Sequence, residues 1–84
     1  MYVVVGSASS AERLKKIIEK TIGFPAYVVH TPAKIRSGGC SYSVRTDDRA
    51  LSIVKRTVNE YGLSYKKIYL VNNKNGERVY RAVS

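Results

Sequence analysis

Cysteine is nearly absent from this chain: Cys40 is the single one in 84 residues, and His30 is the single histidine. One thiol forms no internal disulfide and leaves no resolving partner for C-x-x-C redox chemistry. One Cys with one His also falls short of the three or four N/S ligands of an ordinary zinc site, so no metal and no cofactor is expected. Acidic residues are scarce as well, six Asp plus Glu against fifteen Lys plus Arg, which leaves a formal net charge of +9. That imbalance favours an anionic partner or surface without naming it. Long hydrophobic runs are missing. The longest near the start, Val3-Val4-Val5, is too short for a membrane span or a signal-peptide core, and no basic segment precedes it. The expectation is a cytoplasmic protein in a reducing compartment, with no membrane role. Gly-Lys-Ser/Thr does not occur, so nucleotide hydrolysis by a P-loop is unsupported, and no paired carboxylates suggest glycosidase chemistry.

What remains is an ordinary globular balance, 44% apolar and 25% charged, on a chain long enough for one core. Residues 2–5 are β-branched and aromatic and read as a buried strand ending at Gly6. Ser9 and Glu12 have capping-box spacing, and Ala11, Leu14, Ile17, Ile18 and Ile22 then recur at helical intervals until Gly23 and Pro25 stop the helix. Residues 26–29 form a second strand. The main loop follows at 30–39, and residues 41–45 form a third strand. Asp47 or Thr46 caps a second helix with Ala50, Leu51, Val54, Val58 and Tyr61 on one face, closed by Gly62. Residues 65–71 are a fourth strand. Asn75-Gly76 is the dipeptide of a two-residue type I′ turn into a fifth strand at 78–83, pairing Lys74 with Glu77, Val71 with Tyr80, Tyr69 with Ala82 and Ile68 with Val83. The string β-α-β-β-α-β plus a hairpin strand predicts an α+β domain of ferredoxin-like type, its two helices on one face of an antiparallel sheet and the other face partly open to solvent or a partner. One domain spans 1–84, with 1–71 as its core and 72–84 as a C-terminal hairpin extension.

Cys40 is the one strong nucleophile by residue type. Its setting, Ser37-Gly38-Gly39-Cys40-Ser41, lets backbone approach a reactant closely, and Ser37 and Ser41 offer hydroxyl donors. Lys34, Arg36 and Arg45 are near in sequence and would stabilise a thiolate. The plainer reading makes Cys40 a small core residue on one face with Tyr42 and Val44, inert there. The Gly-Gly pair at the strand's start argues that the pleat is not yet regular at that point. His30 sits across the loop, yet no Asp or Glu nearby in sequence would orient it, so hydrolytic Cys–His catalysis is not expected.

From residue 2 to about residue 70 the chain resembles the family of short bacterial proteins described as putative selenium/sulfur carrier-like. The residues that carry the resemblance are Thr31-Pro32, the Ser37-Gly38-Gly39-Cys40 loop, Val44-Arg45 and the aromatic closing strand at Ile68-Tyr69. Where that family often has Arg after Thr-Pro and Gly after the Cys, this chain has Ala33 and Ser41. The resemblance implies a carrier that takes up a persulfide or selenopersulfide at Cys40, with a sulfur or selenium donor or acceptor protein as partner. It implies a carrier or binding protein rather than an independent enzyme.

A second reading is a non-catalytic basic module that binds RNA or an acidic protein on the open sheet face, a face that also suits a homodimer. RNA-recognition domains share the β-α-β-β-α-β string, and Tyr2 and Tyr42 fall on the first and third strands, where such domains stack bases. The third-strand signature fails in detail, because Cys40, Tyr42 and Val44 leave only one aromatic, and the basic residues are spread rather than clustered. The seven tyrosines read more simply as core and interface filling.

Overall fold

The computed structural model describes residues 1–36 and 41–83. In chain order these form strand β1 (Tyr2–Val5), helix α1 (Ala8–Ile22), strand β2 (Tyr27–His30), a 3₁₀ turn (Ala33–Ile35) and strand β3 (Tyr42–Arg45). A second 3₁₀ turn (Asp48–Ala50) leads into helix α2 (Leu51–Glu60), and strands β4 (Lys67–Lys74) and β5 (Glu77–Ala82) close the fold as a hairpin. The sheet is antiparallel at every pairing, in the order β2-β3-β1-β4-β5. The α+β class is as the sequence predicts, whereas this five-strand order is not that of a four-stranded ferredoxin-like sheet.

Alternation along β1 sorts its side chains between two faces. Val3 pairs with Val44 of β3 on one side and with Ile68 of β4 on the other, and all three are fully buried. Against them pack Ala11, Leu14 and Ile18 from α1 and Val54 and Val58 from α2, the stripes that helical spacing predicts. Burying a side chain the size of Leu14 contributes roughly 2 kcal/mol.

Helix α1 starts earlier than its sequence suggests. Ser7, not Ser9, is the N-cap, and its Oγ accepts the Ser10 N–H at 3.2 Å. At the other end Gly23 takes φ +81° and donates its N–H to the Glu19 carbonyl at 3.2 Å, the left-handed stop expected there.

The second sheet face is covered near β1. Tyr2 and Val4 point to it, yet each is only 5% exposed, and Ser43 on β3 is fully buried. Thr31, just past β2, shares a hydrogen bond with Ser43 Oγ at 2.7 Å. Lys34 Nζ reaches the Arg78 carbonyl on the far edge strand at 3.4 Å. The connection leaving β2 therefore turns across this face, which is not open near β1. Tyr42 pairs with Val5 and His30 on the helix side, opposite to Tyr2, so the two tyrosines share no stacking platform.

Candidate functional site

The β2–β3 connection is built from its ends inward. The Thr31 N–H donates to the Ser41 carbonyl at 3.1 Å and the Thr31 and Ser43 hydroxyls meet beside it, so the base of the loop is tied by backbone and side chain together. Pro32 opens the 3₁₀ turn with φ −55°, close to the value its ring imposes, and its carbonyl accepts the Ile35 N–H at 3.0 Å. Ile35 is half-buried, while Lys34 and Arg36 are exposed. Ser41 is 5% exposed, and its Oγ meets no hydrogen-bond partner among the described residues. Ser37, Gly38, Gly39 and Cys40 lie outside the described residues.

Of the cations expected to attend the thiol, Lys34 and Arg36 stand on the connection itself. Arg45 does not. It ends β3 four residues from Ser41, about 13 Å along an extended strand. Its guanidinium lies over the Tyr27 ring at 5.3 Å. The His30 ring packs against Tyr42, ring centroids 4.9 Å apart and tilted by 32°.

Arg45 instead lines a groove of about 390 Å³ at the other end of β3, together with Tyr2, Phe24, Tyr27, Asp47 and Arg78. Arg78 Nη1 donates to the Tyr2 hydroxyl at 3.2 Å. The hydrogen bond to Tyr80, followed by the influence of Tyr2, raises the Arg78 guanidinium above its usual pKa. Asp47 is already engaged: Arg49 grips both its oxygens, Nε at 3.0 Å and Nη2 at 2.9 Å. Neither Arg45 nor Arg78 has an ion-pair partner among the described residues.

Sequence reasoning assigned Arg45 to the thiol and did not single out Arg78. The Asn-Gly register placed Arg78 on β5, but only the pairing of β1 with both β3 and β4 brings it beside Tyr2. Among the described residues no group of three His, Cys, Asp or Glu is placed to hold a metal ion, and no helix is long and apolar enough to cross a membrane.

Comparison with curated proteins and with solved structures returned no match. A family model does match, over residues 1–70, which takes in β1 through the first part of β4 and the whole β2–β3 connection. The chain thus belongs to the family described as Putative Se/S carrier protein-like.

Proposed function

We propose that this chain is a sulfur or selenium carrier whose acceptor atom is the thiol of Cys40. The observation that carries the reading is that the family match spans the chain's single cysteine. In the loading step the Cys40 thiolate attacks the terminal sulfur of a donor persulfide, R–S–SH. A new S–S bond forms at Cys40, the donor's S–S bond breaks, and the donor leaves as the thiolate R–S⁻ while the proton stays on the transferred sulfur. Electrons balance without an oxidant, and a selenium atom passes by the same exchange. Lys34 and Arg36 supply positive charge near the thiolate, Ser37, Gly38 and Gly39 shape the loop, and the Ser41 hydroxyl, without a partner among the described residues, is a donor at its edge. Arg45 belongs to the groove at the other end of β3.

Incubation with a cysteine desulfurase and free cysteine, followed by mass spectrometry, tests the step. Wild type is expected to gain one sulfur and Cys40→Ala none. An adduct equally abundant on the variant overturns the proposal.

A second reading, a basic module that binds anions without covalent chemistry, is favoured by the two guanidiniums that share one groove without carboxylate partners among the described residues. It entails RNA binding that weakens steeply with salt and ignores Cys40. The ferredoxin-like assignment belongs here too, supported by β3 lying between the parallel pair β1 and β2, and β1 between β3 and β4.

A further inference from the structure

We infer that the groove flanked by Arg45 and Arg78 binds a nucleoside 5′-monophosphate unit, free or within single-stranded RNA, with its phosphate between the two guanidiniums and its base against Tyr27. This inference rests on the binding reading and is independent of Cys40.

Tyr2 is the pivot of the site. Arg45 is its cross-strand partner on β3, and Arg78 bonds its hydroxyl at 3.2 Å, so Tyr2 links two cationic residues that line one groove. Like charges lining one groove repel, and an anion bound there relieves the repulsion. Asp47, the carboxylate in the same groove, is taken up by Arg49. Arg78 is held by the Tyr2 hydroxyl and by no carboxylate among the described residues, which orients its fork yet leaves its charge unspent. A phosphate suits two such forks.

The rest of the ligand is set by the walls. Tyr27 is 52% exposed with Arg45 over its ring, and Phe24 is half-buried with Arg49 over its ring, so aromatic surface borders the charged end. The groove volume, about 390 Å³, falls at the lower end of small-molecule sites and leaves room for a mononucleotide rather than a larger cofactor. Stacking on a tyrosine tolerates any base, so the site selects a nucleotide over bare phosphate without reading its identity.

Calorimetric titration of the full chain with AMP, UMP, adenosine, inorganic phosphate and a short oligouridylate tests this. Both mononucleotides are expected to bind more tightly than adenosine or phosphate. Arg45→Ala and Arg78→Gln should each weaken binding about tenfold, the loss of a charge-assisted contact. Tyr27→Ala should weaken it by a similar factor, about tenfold, through lost stacking. Arg45 and Tyr27 are exposed, so their variants keep the core, and thermal unfolding checks all three. Tighter binding of the oligouridylate than of UMP, lost in the same variants, supports the site and identifies RNA as the source. Equal affinity supports a free nucleotide. Phosphate binding as tightly as AMP overturns the inference. RNA binding untouched by the three variants also overturns it, while leaving the broader binding reading standing.

Discussion

At Asp47 one side chain caps a helical turn and holds a charge pair. Its Oδ1 accepts the Arg49 N–H at 2.8 Å while the guanidinium grips both oxygens, and this side-chain hydrogen bond is the main reason the carboxyl falls from 3.8 to about 2. A carboxylate with its pKa lowered on folding stabilises the native state above the unfolded value, here above about pH 4, and loses that contribution as pH drops towards about 2. Asp47→Asn keeps a capping oxygen and removes the charge. In urea denaturation across this range the stability gap between wild type and variant should be widest above about pH 4 and shrink towards about pH 2. A gap that stays constant would show that the charge contributes nothing. The sequence left Thr46 and Asp47 as rival caps, and the structure divides them, since Thr46 is buried and donates its hydroxyl to the Pro25 carbonyl at 3.0 Å. At α1 the serines of residues 7–10 offer several capping registers. The capping-box rule selected Ser9, but the N-cap is Ser7, whose carbonyl already accepts the Ala11 N–H at 3.1 Å.

Among the elements, the terminal hairpin was the most legible. Asn75 and Gly76 adopt φ +51° and +80°, the signs a type I′ turn needs, and the pairs Lys74 with Glu77, Val71 with Tyr80 and Tyr69 with Ala82 stand as the turn dictates. The strand limits were less legible. The fourth strand begins at Lys67 rather than Tyr65 and runs on through Asn72 and Asn73, polar residues that strand propensity excludes. They pair because the turn aligns them with Arg78 and Val79, and they lie beyond β1, whose pairing with β4 stops at Tyr69. Substituting Gly76 isolates the turn's contribution. A Cβ there meets nothing within 4 Å, so Gly76→Ala costs backbone conformational energy alone, about 1 kcal/mol of stability by denaturant unfolding. A neutral result would mean the hairpin tip is not part of the cooperative unit.

The scale of the whole molecule is where sequence reasoning met its limit. Helix faces and the hairpin register are local, but the crossing of the β2–β3 connection over the sheet and the sharing of one groove by Arg45 and Arg78 depend on strand order, which joins residues distant in the chain. Charge, by contrast, is legible from composition and acts on the fold as a whole. Fifteen basic residues, with ion pairs at Lys15–Glu19, Arg49–Asp47 and the Met1 amino group with Asp48 among the described residues, sit within a radius of gyration of 12.1 Å. At about 0.01 M salt the screening length, about 30 Å, is comparable to the molecule's extents of 36 × 28 × 20 Å, so the uncompensated cations repel one another across its width. At about 0.15 M that length contracts to about 8 Å and the repulsion fades. The melting temperature should therefore rise with sodium chloride over this range, each kcal/mol recovered shifting it by roughly 4–8 °C in a domain of this size. Differential scanning calorimetry reads the effect directly. A melting temperature that falls instead would mean that attractive pairs such as Lys15–Glu19 outweigh the repulsion, and the excess charge would then need no anionic partner to relieve it.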